Sequence, residues 1–351
     1  MQKFNLEVRG VAETLIALLA GLLASSILIL SYGYDPIKAF YWLFYGGFGS
    51  LESILDTLGY ATPLMLTGIA FGLCFKGGMF NVGVEGQAYM GAIGAIIFGG
   101  LVPRLLPILS PFSLILALAG SMLLGLAWAL PPALLKAYRG VHEVISTIMF
   151  NWIAYNFVMF LVRGPLVNPS RPEMSLSVVE NARFSVVPGS AVLTTAILVS
   201  ISAAILMHLL LTLTRLGFEI RITGSNIDAA KYSGINYKNI VITSFLLSGA
   251  LSGLAGGLVI TGRPPVWALY GTLGNIMNVG FDGMGVALIG RNHPLAIILS
   301  GIFIGGLWNG SRLMEPYSGV SSELSRAIIG LIIIALSIPE LSKRLSRILQ
   351  G

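Results

Sequence analysis

The chain has 351 residues, 55% of them hydrophobic and only 10% charged, with a formal net charge of +6 and one cysteine. Soluble domains carry about 25% charged residues, so a soluble enzyme or binding module is excluded. The recurring apolar runs instead match a bilayer core of about 30 Å. The positive charge does not describe a nucleic-acid surface. The basic residues sit in short connections between apolar runs, as orientation signals do, without the basic and aromatic interleaving that a nucleic-acid groove needs.

In chain order, Lys3 and Arg9 precede the first apolar run, Val11–Leu30. It is too long for a signal-peptide core and lacks a small-residue cleavage site, so it is expected to remain as a first span. The connection Ser31–Gly59 holds an aromatic-rich amphipathic piece, Pro36–Tyr45, expected to lie at the interface with Trp42 as an anchor. Nine further spans follow: Tyr60–Phe75, Met79–Leu101, Leu109–Leu135, Val141–Val162, Ala191–Leu213, Ile240–Thr261, Leu273–Ile289, Pro294–Met314 and Glu323–Pro339. The first and the seventh of these nine are short and interrupted by Gly or Pro, a pattern that marks polar sites in transporters. The expected fold is a single all-α polytopic domain over 1–351, with about ten transmembrane helices.

Placing both termini in the cytoplasm puts 13 of the 21 Lys and Arg inside: Lys3, Arg9, Lys76, Lys136, Arg139, Arg215, Arg221, Lys231, Lys238, Arg291, Lys343, Arg344 and Arg347. The excess sets that orientation. Arg163–Gly189, with Pro165, Pro169, Pro172 and Pro188, then reads as an ordered external loop, and Thr214–Asn239 as a cytoplasmic one.

The third span opens on Gly77-Gly78-Met79-Phe80-Asn81-Val82-Gly83-Val84-Glu85-Gly86-Gln87, which sets a carboxylate, two amides and four glycines in hydrocarbon. A buried acid persists there only with a partner or beside a water-filled path, and irregular backbone only where it faces protein or a cavity. Glu85 is therefore either a group lining a polar path or a brace that accepts backbone N–H bonds at a helix break. Asn81 and Gln87 suit the same path or bridges between helices. In the fifth span, Asn151, Trp152, Tyr155 and Asn156 gather amides and aromatic faces, with Asn151 and Tyr155 one turn apart. Such a group suits a flat ring, or interhelical packing. Asn278 and Asp282 are likewise one turn apart in the eighth span. His142 beside Glu143 reads as an interfacial pair, and the three histidines show no metal spacing. Ser, His and acidic residues are too scattered for a catalytic triad.

In the 214–239 loop, Ser225 or Asn226 can cap a short helix, Asp228 suits its positive end, Ala229 and Ala230 favour it, and Gly234 stops it. The expected product is a two-turn helix with small side chains, able to seat in a groove of another protein.

Three stretches together resemble one family. Gly217-x-x-x-Arg221-x-x-Gly224-x-Asn226-x-x-Ala229-Ala230-x-x-x-Gly234-Ile235 is similar to the coupling-helix loop of ABC importer permeases of the branched-chain amino acid, ribose and nucleoside superfamily. Phe80–Gln87 and Gly280–Pro294 resemble its nucleoside branch. The resemblance implies a type II-like permease in which Gly217, Arg221, Gly224, Asn226, Asp228, Ala229, Ala230 and Gly234 belong to the ATPase-coupling loop. It also implies a multi-pass place for this chain in the cytoplasmic membrane, and partners: a separate ABC ATPase, a second permease chain in a heterodimer, and an extracellular substrate-binding lipoprotein. The chain lacks a Gly-x-x-x-x-Gly-Lys-Ser/Thr P-loop, so ATP and Mg are expected on the ATPase and no cofactor or metal on this chain. It is thus expected to be a transport subunit and not an enzyme. A simple sugar such as ribose or galactose is the alternative cargo. An ion-driven secondary transporter would lack the ATPase-docking helix, and an intramembrane enzyme would need paired acids near one membrane face.

Overall fold

The computed structural model describes residues 2–337, with side chains from residue 15 onward. The expected end of the last span at Pro339, the basic residues Lys343, Arg344 and Arg347, and the side chains of Lys3 and Arg9 lie outside the described residues. The described residues are mostly helical. In order come α1 (Gln2–Ser31), α2 (Pro36–Phe48), α3 (Leu51–Lys76), α4 (Val84–Ile96) running through a π-turn into α5 (Val102–Leu105), α6 (Ser113–Arg139) and α7 (Glu143–Arg163). After a loop come α8 (Ile197–Leu213), α9 (Arg215–Ser225), α10 (Ile227–Tyr232), α11 (Tyr237–Thr261), α12 (Val279–Ile289), α13 (Pro294–Ser318) and α14 (Ser322–Ser337).

Among the described residues six helical segments are long and apolar enough to span a membrane, or seven if α8 and α9, bent by 75°, count as one. Leu15–Ser31 of α1 and α12 are shorter apolar helices, and α14 has 16 residues. The second expected span is neither short nor interrupted: α3 has 26 residues and carries Pro63 inside it. Its first two turns fall in the expected connection Ser31–Gly59, because Glu52 and Asp56 dilute the apolar run there. The 163–189 loop departs from all-α structure, with an antiparallel pair of short strands, β1 (Val167–Asn168) and β2 (Arg171–Ser175).

The chain divides into two compact units, residues 1–57 with 303–351, and residues 58–302. In the first, α1 packs on α14, where Gly21 abuts Ala335. The aromatic helix α2 buries Ala39, Leu43, Gly46 and Gly47. Its Gly46 and Gly47 meet Gly310 and Gly306 of α13, so close that an added Cβ would strike backbone. Small residues at helix contacts are the usual means of close approach in membranes. Trp42 stacks on Tyr317 at 4.1 Å. Asn309 ties the unit together by donating from Nδ2 to the carbonyls of Gly46 and Ser53, both at 3.0 Å.

In the second unit the core is the trio α4, α6 and α11. Gly91 faces Gly253, Gly94 faces Gly120, and Gly125 lies between Gly249 and Gly253, each backbone against backbone. No side chain could be inserted at these contacts without separating the helices. The bend between α8 and α9 follows from Thr214, which is extended and caps α9 by accepting from the Gly217 N–H at 3.1 Å.

Candidate functional site

The segment Phe80–Gln87 is held by a set of polar bonds. Asn81 Oδ1 accepts from the Gly83 N–H at 2.9 Å, and its Nδ2 donates to Ser248 Oγ at 2.8 Å and Gln87 Oε1 at 3.2 Å. Asn151 of α7 reaches over to accept from the Gly86 N–H at 2.8 Å and to donate to the Val82 carbonyl at 2.9 Å. Each amide thus replaces backbone partners that a regular helix would have supplied. The Phe80 N–H points to Glu143 Oε1 at 3.4 Å. Glu143 does not pair with His142: it bridges Lys136 at 2.7 Å, from the start of α7 to the last turn of α6.

Glu85 is 2% exposed, and its carboxylate accepts from Tyr89 Oη at 2.5 Å, the Asn278 N–H at 2.6 Å and the Gly280 N–H at 2.6 Å. The two amides stand at the N-terminus of α12, where backbone N–H groups lack partners inside the helix and negative charge is favoured. Asn278 itself is left-handed, with φ +70°, a conformation that Asn tolerates better than most residues. Gly280 lies so close to Glu85 that a Cβ there would collide with the Glu85 backbone.

These groups border a cavity of about 290 Å³ lined by Glu85, Tyr89, Ile148, Asn151, Trp152, Tyr155, Met277, Asn278 and Phe281. Five of the residues expected on a polar path therefore meet at one place: Glu85, Asn151, Trp152, Tyr155 and Asn278. Asn81 and Gln87 are buried among helices beside it and do not line it. Asn156 is exposed and donates to the Trp152 carbonyl at 2.8 Å. Asp282 also stands outside the lining. The aromatic rings contact one another, with Tyr155 6.1 Å from Tyr89 and 6.0 Å from Trp152. Tyr89 was missed in the sequence, although its place four residues after Glu85, one turn away on a helix, is a usable signal. Ile148, Met277 and Phe281 carry none, being indistinguishable from lipid-facing residues.

In the 214–239 loop, α10 has six residues and is capped by Asn226 Oδ1, which accepts from the N–H groups of Asp228 at 2.9 Å and Ala229 at 3.0 Å. Asp228 and Ala229 are exposed, Ala230 is fully buried, and Tyr232 is 97% exposed. Gly217 packs on the end of α8 at Leu210 and Leu211, and Gly224 packs on the turn Lys76–Gly78. Arg221 is half-buried, and Gly234 has φ +79° just past the helix end. His208 and His293, far apart in sequence, have ring centroids 5.1 Å apart. Burial, His208 and Lys76 hold His293 below the usual imidazole range. Among the described residues no three His, Cys, Asp or Glu are placed to hold a metal.

A helical membrane domain with a broken, polar span start beside an aromatic cavity is the form of a transport permease. The chain belongs to the family described as branched-chain amino acid transport system / permease component, whose model matches residues 53–337. It is 33% identical to the guanosine ABC transporter permease protein NupP of Bacillus subtilis, over 91% of each chain. It is 32% identical to the nucleoside ABC transporter permease protein NupB of Lactococcus lactis, over 95% of this chain and 92% of that one. The glucose ABC transporter permease protein TsgB13 of Haloferax volcanii is 30% identical over 94% and 87%. The first two bacteria each also hold a second, more distant relative, NupQ and NupC, at 26% and 27% identity. No solved structure matches the chain.

Proposed function

We propose that the chain is one of two membrane subunits of an ATP-driven importer of nucleosides. The observation that carries the reading is the cavity beside Glu85. Its aromatic walls suit the flat face of a base, and its volume of about 290 Å³ is of the size that small-ligand sites begin at, about 300 Å³. The nucleoside names of two relatives that match over most of the chain support the same cargo. The glucose relative supports a simple sugar as the second reading.

In this proposal the 214–239 loop faces the cytoplasm and α10 seats in a groove of a separate ABC ATPase, which binds ATP and Mg; the chain itself needs no cofactor. A second, different permease chain completes the membrane part, as NupQ and NupC beside NupP and NupB suggest. A substrate-binding lipoprotein delivers cargo from outside, and both termini of the chain lie in the cytoplasm. Closure of the ATPases on ATP moves the loops, and the path alternates between the two sides. Uptake of labelled guanosine or adenosine by cells expressing the complete transporter tests the cargo. Uptake competed by nucleosides and not by free ribose is the expected result; competition by ribose alone would transfer the assignment to the sugar reading.

A further inference from the structure

The polar groups around the cavity differ in what they have left to offer. Glu85 spends its oxygens on Tyr89, Asn278 and Gly280. Asn151 spends its carbonyl on Gly86 and its amino group on Val82. Among the carboxylate and amides of the lining, Asn278 alone has a side chain with no hydrogen-bond partner among the described residues. Its backbone is fixed at the same time: Glu85 grips its N–H at 2.6 Å, and its left-handed conformation sets the direction of the side chain. A half-buried amide held in this way loses little further freedom when a ligand binds, which is the physical content of preorganisation.

We propose that Asn278 is the residue that determines specificity in this cavity, reading the hydrogen-bonding edge of a flat heterocycle stacked against Trp152, Tyr155, Tyr89 or Phe281. An amide presents an acceptor and a donor side by side. The edges it matches carry the complementary pair, such as N6–H and N7 of adenine or O6 and N1–H of guanine. Glu85 acts through Asn278 as a positioning residue and does not touch the ligand. The assignment rests on the reading of the cavity as part of the substrate path.

The test compares uptake of labelled guanosine, adenosine and purine riboside, which keeps ring and sugar but lacks the exocyclic groups. The complete transporter is used, with the same binding protein throughout so that its own preference cancels in the ratios. Asn278→Gly keeps a residue suited to positive φ and deletes the amide. The adenosine to purine riboside ratio should then fall by about fivefold at equal membrane abundance, in line with loss of the one hydrogen bond, from N6–H, that separates the two ligands. Asn278→Asp offers acceptors only, so it should move preference from adenosine, which pairs through a donor and an acceptor, toward guanosine, which shows adjacent N–H donors. If the glycine variant does not reach the membrane, the aspartate variant decides. Unmoved ratios in a variant that still transports would overturn the assignment of Asn278. If Trp152→Ala and Tyr155→Ala also leave all uptake unchanged, the reading of the cavity falls with it.

Discussion

At Glu85 a carboxylate sits almost fully buried with three short donors around it. Sequence reasoning left two roles open, because an acid in an apolar span looks the same whether it faces substrate or backbone. The geometry spends its hydrogen-bonding capacity on the start of α12 and on Tyr89. Removing a buried acceptor leaves those donors stranded, at a cost of about 1–3 kcal/mol. Glu85→Ala should therefore lower the thermal stability of the purified chain in detergent and lower uptake together. Lost uptake at unchanged stability would instead mark Glu85 as a ligand contact. Asn151 was legible as a polar face shared with Tyr155, but its bonds to Gly86 and Val82 were not. Nothing in the spacing of α7 says which broken segment of another helix it will mend.

At the level of elements, the second half of the 214–239 loop matches its sequence reading, while the first half does not. Asn226 is the cap, and the helix it starts is shorter than expected, six residues. What the sequence hid is which alanine faces outward. Ala229 and Ala230 look equivalent in a string, whereas Ala229 is exposed and Ala230 is 0% exposed. The two positions should therefore separate. Ala229→Glu should leave membrane abundance unchanged and abolish the stimulation of ATP hydrolysis by substrate in reconstituted complexes, if α10 seats in the ATPase. Ala230→Glu buries an unpaired charge and should lower abundance itself, since such burial is among the severe mechanisms of destabilisation. Normal coupling by an abundant Ala229→Glu chain would remove α10 from the docking surface. The helix α9 and its 75° bend from α8 were not legible, because Leu216, Phe218, Ile220 and Ile222 alternate with other residues, a period that does not announce a helix.

For the whole molecule, composition and apolar runs sufficed for a helical membrane protein, since the bilayer permits few alternatives. The limits of the helices were harder to read: polar residues inside α3 shortened its apparent span, and the interruptions that mark α12 were visible while its left-handed entry at Asn278 was not. If two different permease chains form the path, this chain with its ATPase and binding protein but without the second permease should give no nucleoside uptake above that of empty membranes. Restored uptake on adding the second chain checks it; full uptake without it would point to a homodimer. The glycine contacts of α4, α6 and α11 reach further than stability. Where backbone lies on backbone there is no side chain to exchange, so lineages that diverge at most other positions should keep glycine at Gly91, Gly94, Gly125 and Gly253, whereas a Cβ at Gly120 would meet only the Phe98 side chain. The four retained positions form a signature that an ancestral reconstruction of this chain should recover even where its cargo has changed.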